Sequence, residues 1–445
     1  MIAILGAGES GVGAALLAKA KGLEVLVSDM GTIKPTYKEQ LQKEGIPFEE
    51  GTHSFEKILA ATEIIKSPGI PDKAEIIKRA KAQNIPVISE IELAARYSKA
   101  KFICITGTNG KTTTTLLTHH LLKTAGYNVE LAGNIGESLA AKIIEDAAEY
   151  YVVELSSFQL DTMYQFKAHI AILLNITPDH LDRYEYNIGN YAQSKLRITQ
   201  NMTPTDYFIY NGEDVLIQEH LEKIHFNGTA VPFGLKQSDS TRSFYTDGNI
   251  TSVVTGIREN VDVSGSPLIG KHNQYNMLAA VTATLLAGVE TFRIEEGLAT
   301  FKNADHRLQK IGEAEGVTYI NDSKATNVEA VWYALEGIKQ PIIWIAGGVD
   351  KGNDYNTLKP LAKEKIKALI CLGKENEKLF RAFAEVIPDI QETQSVDEVV
   401  QIAKSLASPG DVVLLSPACA SFDLFQNYEH RGRSFAEAVQ KWALK

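Results

Sequence analysis

The stretch Lys101–Thr115, KFICITGTNGKTTTT, constrains this chain more than any other. The apolar run Phe102–Ile105 predicts a buried strand. It breaks into Gly107-Thr108-Asn109-Gly110-Lys111-Thr112, after which Leu117, Leu121 and Ala125 recur at helical spacing. Strand, glycine turn, Lys-Thr and helix are the parts of a phosphate cradle. Glycines let backbone N–H groups close on an anion, and a helix N-terminus adds partial positive charge. Lys111 can reach the outer phosphates and the Thr112 hydroxyl can ligate Mg²⁺. The spacing departs from the strict P-loop, which expects glycine where Ile105 stands. A plain tight βα connection would use the same glycines, but strand, Lys-Thr and helix agree on an ATP site.

A second glycine turn opens the chain. Ile2–Leu5 predicts a strand, Gly6-Ala7-Gly8-Glu9-Ser10-Gly11 follows it, and a helix over about 12–21 leads to a strand Glu24–Ser28 ending at Asp29. Alone, this GxGxxG with a following acid suggests NAD. The same turn serves any pyrophosphate, including that of a UDP-sugar, and an ATP cradle downstream fits that alternative better. Ser67-Pro68-Gly69-Ile70-Pro71 after a strand Ile64–Lys66 reads as a plain turn or as a second loop over the same cleft.

Beyond the cradle, Gly133-Asn134-Ile135-Gly136 offers an amide side chain. A strand Tyr151–Leu155 places Glu154 at its end, where an acid is a common Mg²⁺ partner, with Ser156, Ser157 and Gln159 following. A strand over His169–Leu174 leads to Asn175-Ile176-Thr177-Pro178-Asp179-His180. Three strand ends are therefore expected on one crevice, where open parallel sheets bind ligands. Tyr191–Thr199 predicts a helix presenting Lys195. Tyr207–Tyr210, Val231–Phe233, Phe244–Tyr245 and Ile250–Val254 alternate with turn residues like antiparallel hairpins, an edge extension to the central sheet. Asn273 and Asn276, at the start of a small-residue helix Met277–Ala287, suit N-caps or a purine.

After a hinge at Asn303–Arg307, strands near Val317–Ile320, Pro341–Ala346, Ala368–Leu372 and Val412–Leu415 alternate with helices. They end in NDSKATN, GGVDK and SPACASFD. The expected fold class is α/β with three domains. Residues 1–95 and 303–445 are Rossmann-like, and residues 96–302 form a P-loop ATPase-type, mostly parallel sheet with an antiparallel extension.

The chain's 445 residues suit about three domains. Its net charge of −10 argues against a general nucleic-acid or membrane-surface binder. The apolar start MIAIL reaches glycine too soon for a signal peptide, and no stretch has the length of a membrane span, so a soluble, cytoplasmic protein is expected. Cys104, Cys371 and Cys419 show no metal spacing and read as reduced thiols.

Taken together, TGTNGKTT, GNIG, ELSSFQL, NITPDHLDRY, SKLR, GKHNQYN, the hinge HR, NDSKATN and LLSPACASFD stand in the order of the Mur ligase family, which the sequence resembles over essentially its whole length. ELSSFQL with SPACASFDLFQNYEHRG points to the D-glutamate-adding branch. A DNPR-type motif, the mark of relatives adding a diamino acid, is missing near the third-domain glycine loops.

The resemblance implies an ATP-dependent ligase of peptidoglycan precursor synthesis, and a monomer is expected. Its partners would be ATP, UDP-N-acetylmuramoyl-L-alanine and D-glutamate. It further implies that Gly107, Thr108, Asn109, Gly110, Lys111, Thr112, Thr113, Asn276, Arg307, Asp322 and Lys324 hold ATP. Lys111, Glu154, His180 and Lys195 would be catalytic. Thr112, Glu154, His180 and Lys195 would serve two Mg²⁺ sites, with Lys195 carbamylated, since an ammonium cannot ligate a cation. Glu9, Ser10 and Ser67 would face the uridine diphosphate. Asn134, Ser157, Gln159 and His180 would face the muramoyl-alanine end, and Thr326, Lys351, Ser421 and Tyr428 the D-glutamate. Met30-Gly31 replaces the family's usual Thr-Arg, and Tyr428 stands where Phe is frequent. At this level a Mur-type ligase for another amino acid, an NAD-binding regulatory protein and an ATP-driven conformational switch are the competing readings.

Overall fold

The computed structural model describes residues 1–443. Three sheets carry the chain. The first is wholly parallel, with order β3-β2-β1-β4-β5: β1 (Ile2–Leu5), β2 (Val25–Asp29), β3 (Phe48–Glu50), β4 (Glu63–Lys66) and β5 (Val87–Ile88). The order reverses between β1 and β4, so the turn after β1 and the Ser67 loop after β4 lie side by side at the crevice expected of such a sheet.

The second sheet has nine strands, β6 (Lys101–Thr106), β7 (Val129–Gly133), β8 (Tyr150–Glu154), β9 (Ile170–Leu173), β10 (Tyr207–Asn211), β11 (Thr229–Gly234), β12 (Ser243–Thr246), β13 (Asn249–Ser252) and β14 (Glu259–Asp262). Its order is β14-β13-β12-β11-β10-β9-β6-β8-β7, which puts the ends of β9, β6 and β8 next to one another. The antiparallel extension is shorter than the sequence suggests. Among the described residues of this sheet β12, β13 and β14 alone pair antiparallel, whereas β10 and β11 continue the parallel sheet. The helix Val215–Leu221, capped by the Asp214 side chain, supplies the crossover that parallel pairing needs.

The third sheet, β15 (Gln309–Ala314), β16 (Val317–Asn321), β17 (Ile342–Ala346), β18 (Ile366–Leu372), β19 (Asp389–Thr393) and β20 (Val412–Leu415), has order β15-β16-β20-β17-β18-β19. Among the described residues of this sheet β15 and β16 pair antiparallel and the other neighbours pair parallel. Ile342 and Trp344 of β17 enter one core and Ile343 and Ile345 the other. A strand covered on both faces reads as an unbroken apolar run, which is why IIWIA was legible.

The chain parts into two compact units, 1–267 with 274–301 and 268–273 with 302–445. In the first unit one core runs through both sheets, and the helix Glu90–Ala95 ties them with two buried acids. Glu92 accepts the backbone N–H groups of Tyr164, Gln165 and Phe166 at 3.0, 2.9 and 2.9 Å. Glu90 accepts from Ala140 N at 3.0 Å, while its other oxygen is buried without a hydrogen bond. Burial pushes the Glu90 carboxyl up to about 7 from an ordinary 4.5. The unfolded chain therefore releases this proton first, and stability falls as pH rises from about 4.5 to 7. A shift of this size corresponds to about 3 kcal/mol. Glu90→Gln is expected to flatten that slope, read as urea midpoints at pH 5 and pH 8. Parallel slopes in the two proteins would refute it.

Among the described residues no helix is long and apolar enough to cross a membrane. The three cysteines are free and buried.

Candidate active site

The phosphate-type loop between β6 and the helix Lys111–Thr124 is shaped by its neighbours. Gly110 caps the helix at φ +83°, and a Cβ there would lie 2.3 Å from Asn276 Oδ1, so only glycine fits. The Asn276 oxygen also accepts from Thr114 Oγ1 at 3.2 Å. The helix begins at Lys271, which puts Asn276 inside it rather than at an N-cap. Asn175, at the end of β9, braces the loop from the other side. Its Oδ1 accepts from Thr108 N and Asn109 N at 3.0 and 2.8 Å, and its Nδ2 donates to Asn109 O at 3.1 Å. Sequence reasoning passed over Asn175; an amide directly after a strand beside a glycine loop was the available signal.

Two lysines converge on this loop. Lys111 Nζ donates to Gly107 O and Thr108 O at 2.9 and 2.8 Å, and Lys195 Nζ donates to the same Gly107 O at 2.7 Å. Lys195 comes from the helix Ile188–Leu196, is 1% exposed, and lies 4.5 Å from the centre of the Tyr191 ring. Burial first, then the Lys111 charge, pulls its pKa well below the ordinary lysine range, against Asp179, Asp161 and Glu154. A buried amine held in this way has a share of neutral, nucleophilic form that a surface lysine lacks.

Glu154 closes the neighbouring strand end. Its Oε1 accepts from Asn134 Nδ2 at 2.7 Å, and its Oε2 is buried without a hydrogen-bond partner. An orphaned carboxylate oxygen beside a phosphate loop suits a hard divalent cation. Thr112 and Thr113 are buried in the first turn of the helix. His180 has a left-handed backbone, φ +52°, and its ring lies against Phe158 at 5.3 Å and Asp179 Oδ2 at 3.6 Å. Its side chain is 42% exposed, in contrast to buried Lys195 and Glu154. Among the described residues no three His, Cys, Asp or Glu side chains gather as a metal site. A Mg²⁺ held by one or two protein groups, with nucleotide phosphates and water completing its shell, needs no such cluster. Ser157 is buried and its carbonyl accepts from Ser194 Oγ at 3.0 Å, while Gln159 closes a capping box with Ser156.

At the first sheet, Ser67 sits over the glycine turn. Its Oγ is 3.5 Å from Ser10 Oγ, and a Cβ on Gly11 would strike Gly6 O at 1.8 Å. Asp29 spends both oxygens on backbone, accepting from Ala7 N at 2.6 Å and Gly31 N at 2.7 Å, which weakens the reading of it as an NAD ribose partner. Glu9 bridges the sheets, accepting from Tyr37 OH at 2.9 Å and Ser138 N at 3.3 Å.

In the second unit the ends of β16, β20 and β17 are adjacent. Asp322 accepts from Leu308 N at 3.2 Å and Ser416 Oγ at 2.9 Å, and burial raises its carboxyl to about 7. The Arg307 charge opposes that rise. Lys324 donates to Tyr428 OH at 2.7 Å, and Thr326 N donates to Lys324 O at 2.9 Å. The loops carrying Lys351 and Ser421 are joined by a backbone bridge, Val349 N to Ala420 O at 2.8 Å and Ala420 N to Val349 O at 3.1 Å. Lys351 is exposed and Ser421 buried.

A strand–glycine loop–helix unit with two converging lysines and an unsatisfied carboxylate oxygen defines a nucleotide-phosphate-binding α/β protein. Family models match in three consecutive stretches: a MurD-like N-terminal domain over residues 1–89, the Mur ligase middle domain over 105–284, and the Mur ligase glutamate ligase domain over 306–419. Two similar relatives are the UDP-N-acetylmuramoylalanine–D-glutamate ligases of Cytophaga hutchinsonii and Porphyromonas gingivalis. Each is 52% identical, with 98% of this chain and 98% of the relative covered. Among solved structures, the UDP-N-acetylmuramate-alanine ligase of Thermotoga maritima aligns with a TM-score of 0.62 at 20% identity over 99% of both chains. The MurF ligase of the same organism, in complex with ADP, aligns at 0.60 and 18% identity over 95% of this chain and 97% of that one. The chain belongs to the Mur ligase family.

Proposed function

We propose that this chain is an ATP-dependent amide-bond ligase that adds D-glutamate to UDP-N-acetylmuramoyl-L-alanine in peptidoglycan precursor synthesis. The observation that carries the chemistry is the meeting of Lys111 and Lys195 on one loop carbonyl, next to the strand end that bears Glu154. The family and the printed names of its 52%-identical relatives support the choice of substrates.

An amide cannot form from a carboxylate at neutral pH without a leaving group. ATP supplies one by phosphorylating the L-alanyl carboxylate, and the D-glutamate amine displaces phosphate through a tetrahedral intermediate. Both steps gather negative charge, so preorganised positive groups dominate catalysis. Gly107, Thr108, Asn109, Gly110, Thr112 and Thr113 wrap the phosphates, and Lys111 neutralises the outer ones. Bound Mg²⁺ supplies further neutralisation of the triphosphate. Thr112 and Glu154 would hold one ion, and His180 with Lys195 the other. Lys195 would do so as a carbamate, formed when its neutral amine attacks CO₂ and releases a proton.

In this reading residues 1–95 take the UDP-substrate, with Glu9, Ser10 and Ser67 at the diphosphate. Residues 96–302 take ATP and the reacting carboxylate, with Asn134, Ser157, Gln159 and His180 toward the acyl end and Asn276 toward the base. Residues 303–445 take the amino acid and part of the nucleotide. Arg307, Asp322 and Lys324 serve the nucleotide; Thr326, Lys351, Ser421 and Tyr428 hold D-glutamate. The enzyme works as a cytoplasmic monomer.

The test is the mass of the product formed from UDP-N-acetylmuramoyl-L-alanine, ATP and an equimolar amino-acid mixture that includes D-glutamate. The expected product carries one glutamyl residue and appears with stoichiometric phosphate. Incorporation of another amino acid, or phosphate release that ignores the amino acids, refutes the reading.

A further inference from the structure

Arg431, in the helix Tyr428–Trp442, is 2% exposed, an unusual place for a guanidinium. Its Nε donates to Ser323 Oγ at 3.0 Å and Nη2 to Ser323 O at 2.9 Å. Nη1 reaches Gly347 O at 3.3 Å, and both terminal nitrogens reach Cys419 O at 3.2 Å. These acceptors lie in the three loops that follow β16, β17 and β20. Among the described residues no carboxylate forms a direct ion pair with it; loop carbonyls and a hydroxyl take its hydrogen bonds, and the Asp423 charge favours its protonated form from farther off. Burial lowers its pKa only to about 10, so it stays protonated at neutral pH.

The same loops carry further ties to this helix. Ser323 Oγ donates to Tyr428 O at 2.8 Å, and Asn321 Nδ2 to Gly432 O at 2.9 Å. A buried charge without a direct ion pair is expensive to keep unless its hydrogen bonds are fully used, and here the five contacts knit three separate strand ends.

We infer that Arg431 is a positioning residue that holds the nucleotide-side loop 321–327 in register with the amino-acid-side loops 347–351 and 417–421. This rests on the proposed function, which assigns Asp322 and Lys324 to the nucleotide and Thr326, Lys351 and Ser421 to D-glutamate. Arg431 touches neither ligand; it sets the distance between the groups that do. Lysine keeps the charge but lacks the planar fork that reaches three loops at once.

The test is steady-state kinetics of Arg431→Lys and Ser323→Ala with each substrate varied in turn, beside thermal midpoints. For Arg431→Lys, KM for ATP and for D-glutamate should rise together by about tenfold, the scale of losing charge-assisted hydrogen bonds. Turnover at saturation should stay within about threefold, and KM for the UDP-substrate should not move. Ser323→Ala, which deletes one acceptor, should shift the same two constants by about threefold. A merely structural arginine would instead lower the midpoint and the active fraction with all KM values unchanged, and that result overturns the inference. If Arg431→Lys does not accumulate folded, unchanged KM values in Ser323→Ala overturn it alone. A wild-type chain that ligates a different amino acid refutes the proposed substrate, and the KM for that amino acid then decides the role of Arg431.

Discussion

Lys195→Ala is expected to lower turnover by about a thousandfold, the effect of deleting one preorganised electrostatic partner of a charged transition state. The expectation starts from placement. The lysine is 1% exposed, its amine lies 2.7 Å from the carbonyl of Gly107, and burial with the Lys111 charge weakens its hold on a proton. An amine in that position is poorly used as a cation. As the proposed carbamate it would present hard oxygens to Mg²⁺, and added acetate or formate should then restore part of the lost activity in the alanine variant. A second readout is independent of turnover: wild-type protein equilibrated with ¹³CO₂ should show a carbamate resonance that the variant lacks. Retention of more than about a tenth of the wild-type rate would contradict the catalytic role. Absence of both rescue and resonance would leave Lys195 a cation and remove the carbamate.

What the amino-acid sequence reveals of the fold and the site follows from locality. The cradle was legible because its requirements lie within a few consecutive residues: an apolar strand, a glycine that must take φ +83° beside Asn276, and Lys-Thr at the helix start. The ends of β8 and β9 were legible because buried parallel strands are uninterrupted apolar runs. Strand direction is another matter. Tyr207–Asn211 and Thr229–Gly234 carry turn residues at both ends, and only the intervening helix Val215–Leu221 decides that they run parallel. The edge strands Gln309–Ala314 and Asp389–Thr393 are polar on much of their length and gave no apolar signal. Residues that act across long separations were also missed. Asn175 braces a loop 66 positions away, Glu92 pins backbone 72 to 74 positions away, and Arg431 reaches back 108 positions to Ser323. Each is a polar group whose partners are mostly main chain, and main-chain partners leave no mark in residue identity.

The same distinction, between a side chain that satisfies its surroundings and one that does not, sets the expectation for Glu154. One oxygen is occupied by Asn134 Nδ2 at 2.7 Å, and the other is buried with no hydrogen bond. Gln159, in the loop after the same strand, places its amide oxygen on Ser156 N and Oγ at 2.9 and 2.8 Å. Glu90 also leaves one oxygen unpaired, at the seam of two sheets; what sets Glu154 apart is that its unpaired oxygen stands at the end of the strand next to the one that feeds the glycine loop. Glu154→Gln preserves shape and can keep the Asn134 bond, but replaces the orphan oxygen and its charge with an amide. Turnover is therefore expected to fall by about a hundredfold or more, with the thermal midpoint close to wild type. Mn²⁺ titration followed by electron paramagnetic resonance in the presence of ADP separates the causes: the variant should bind the ion at least about tenfold more weakly. Equal Mn²⁺ affinity and near-normal turnover would mean that the orphan oxygen holds no cation, and the Thr112–Glu154 site would have to be abandoned.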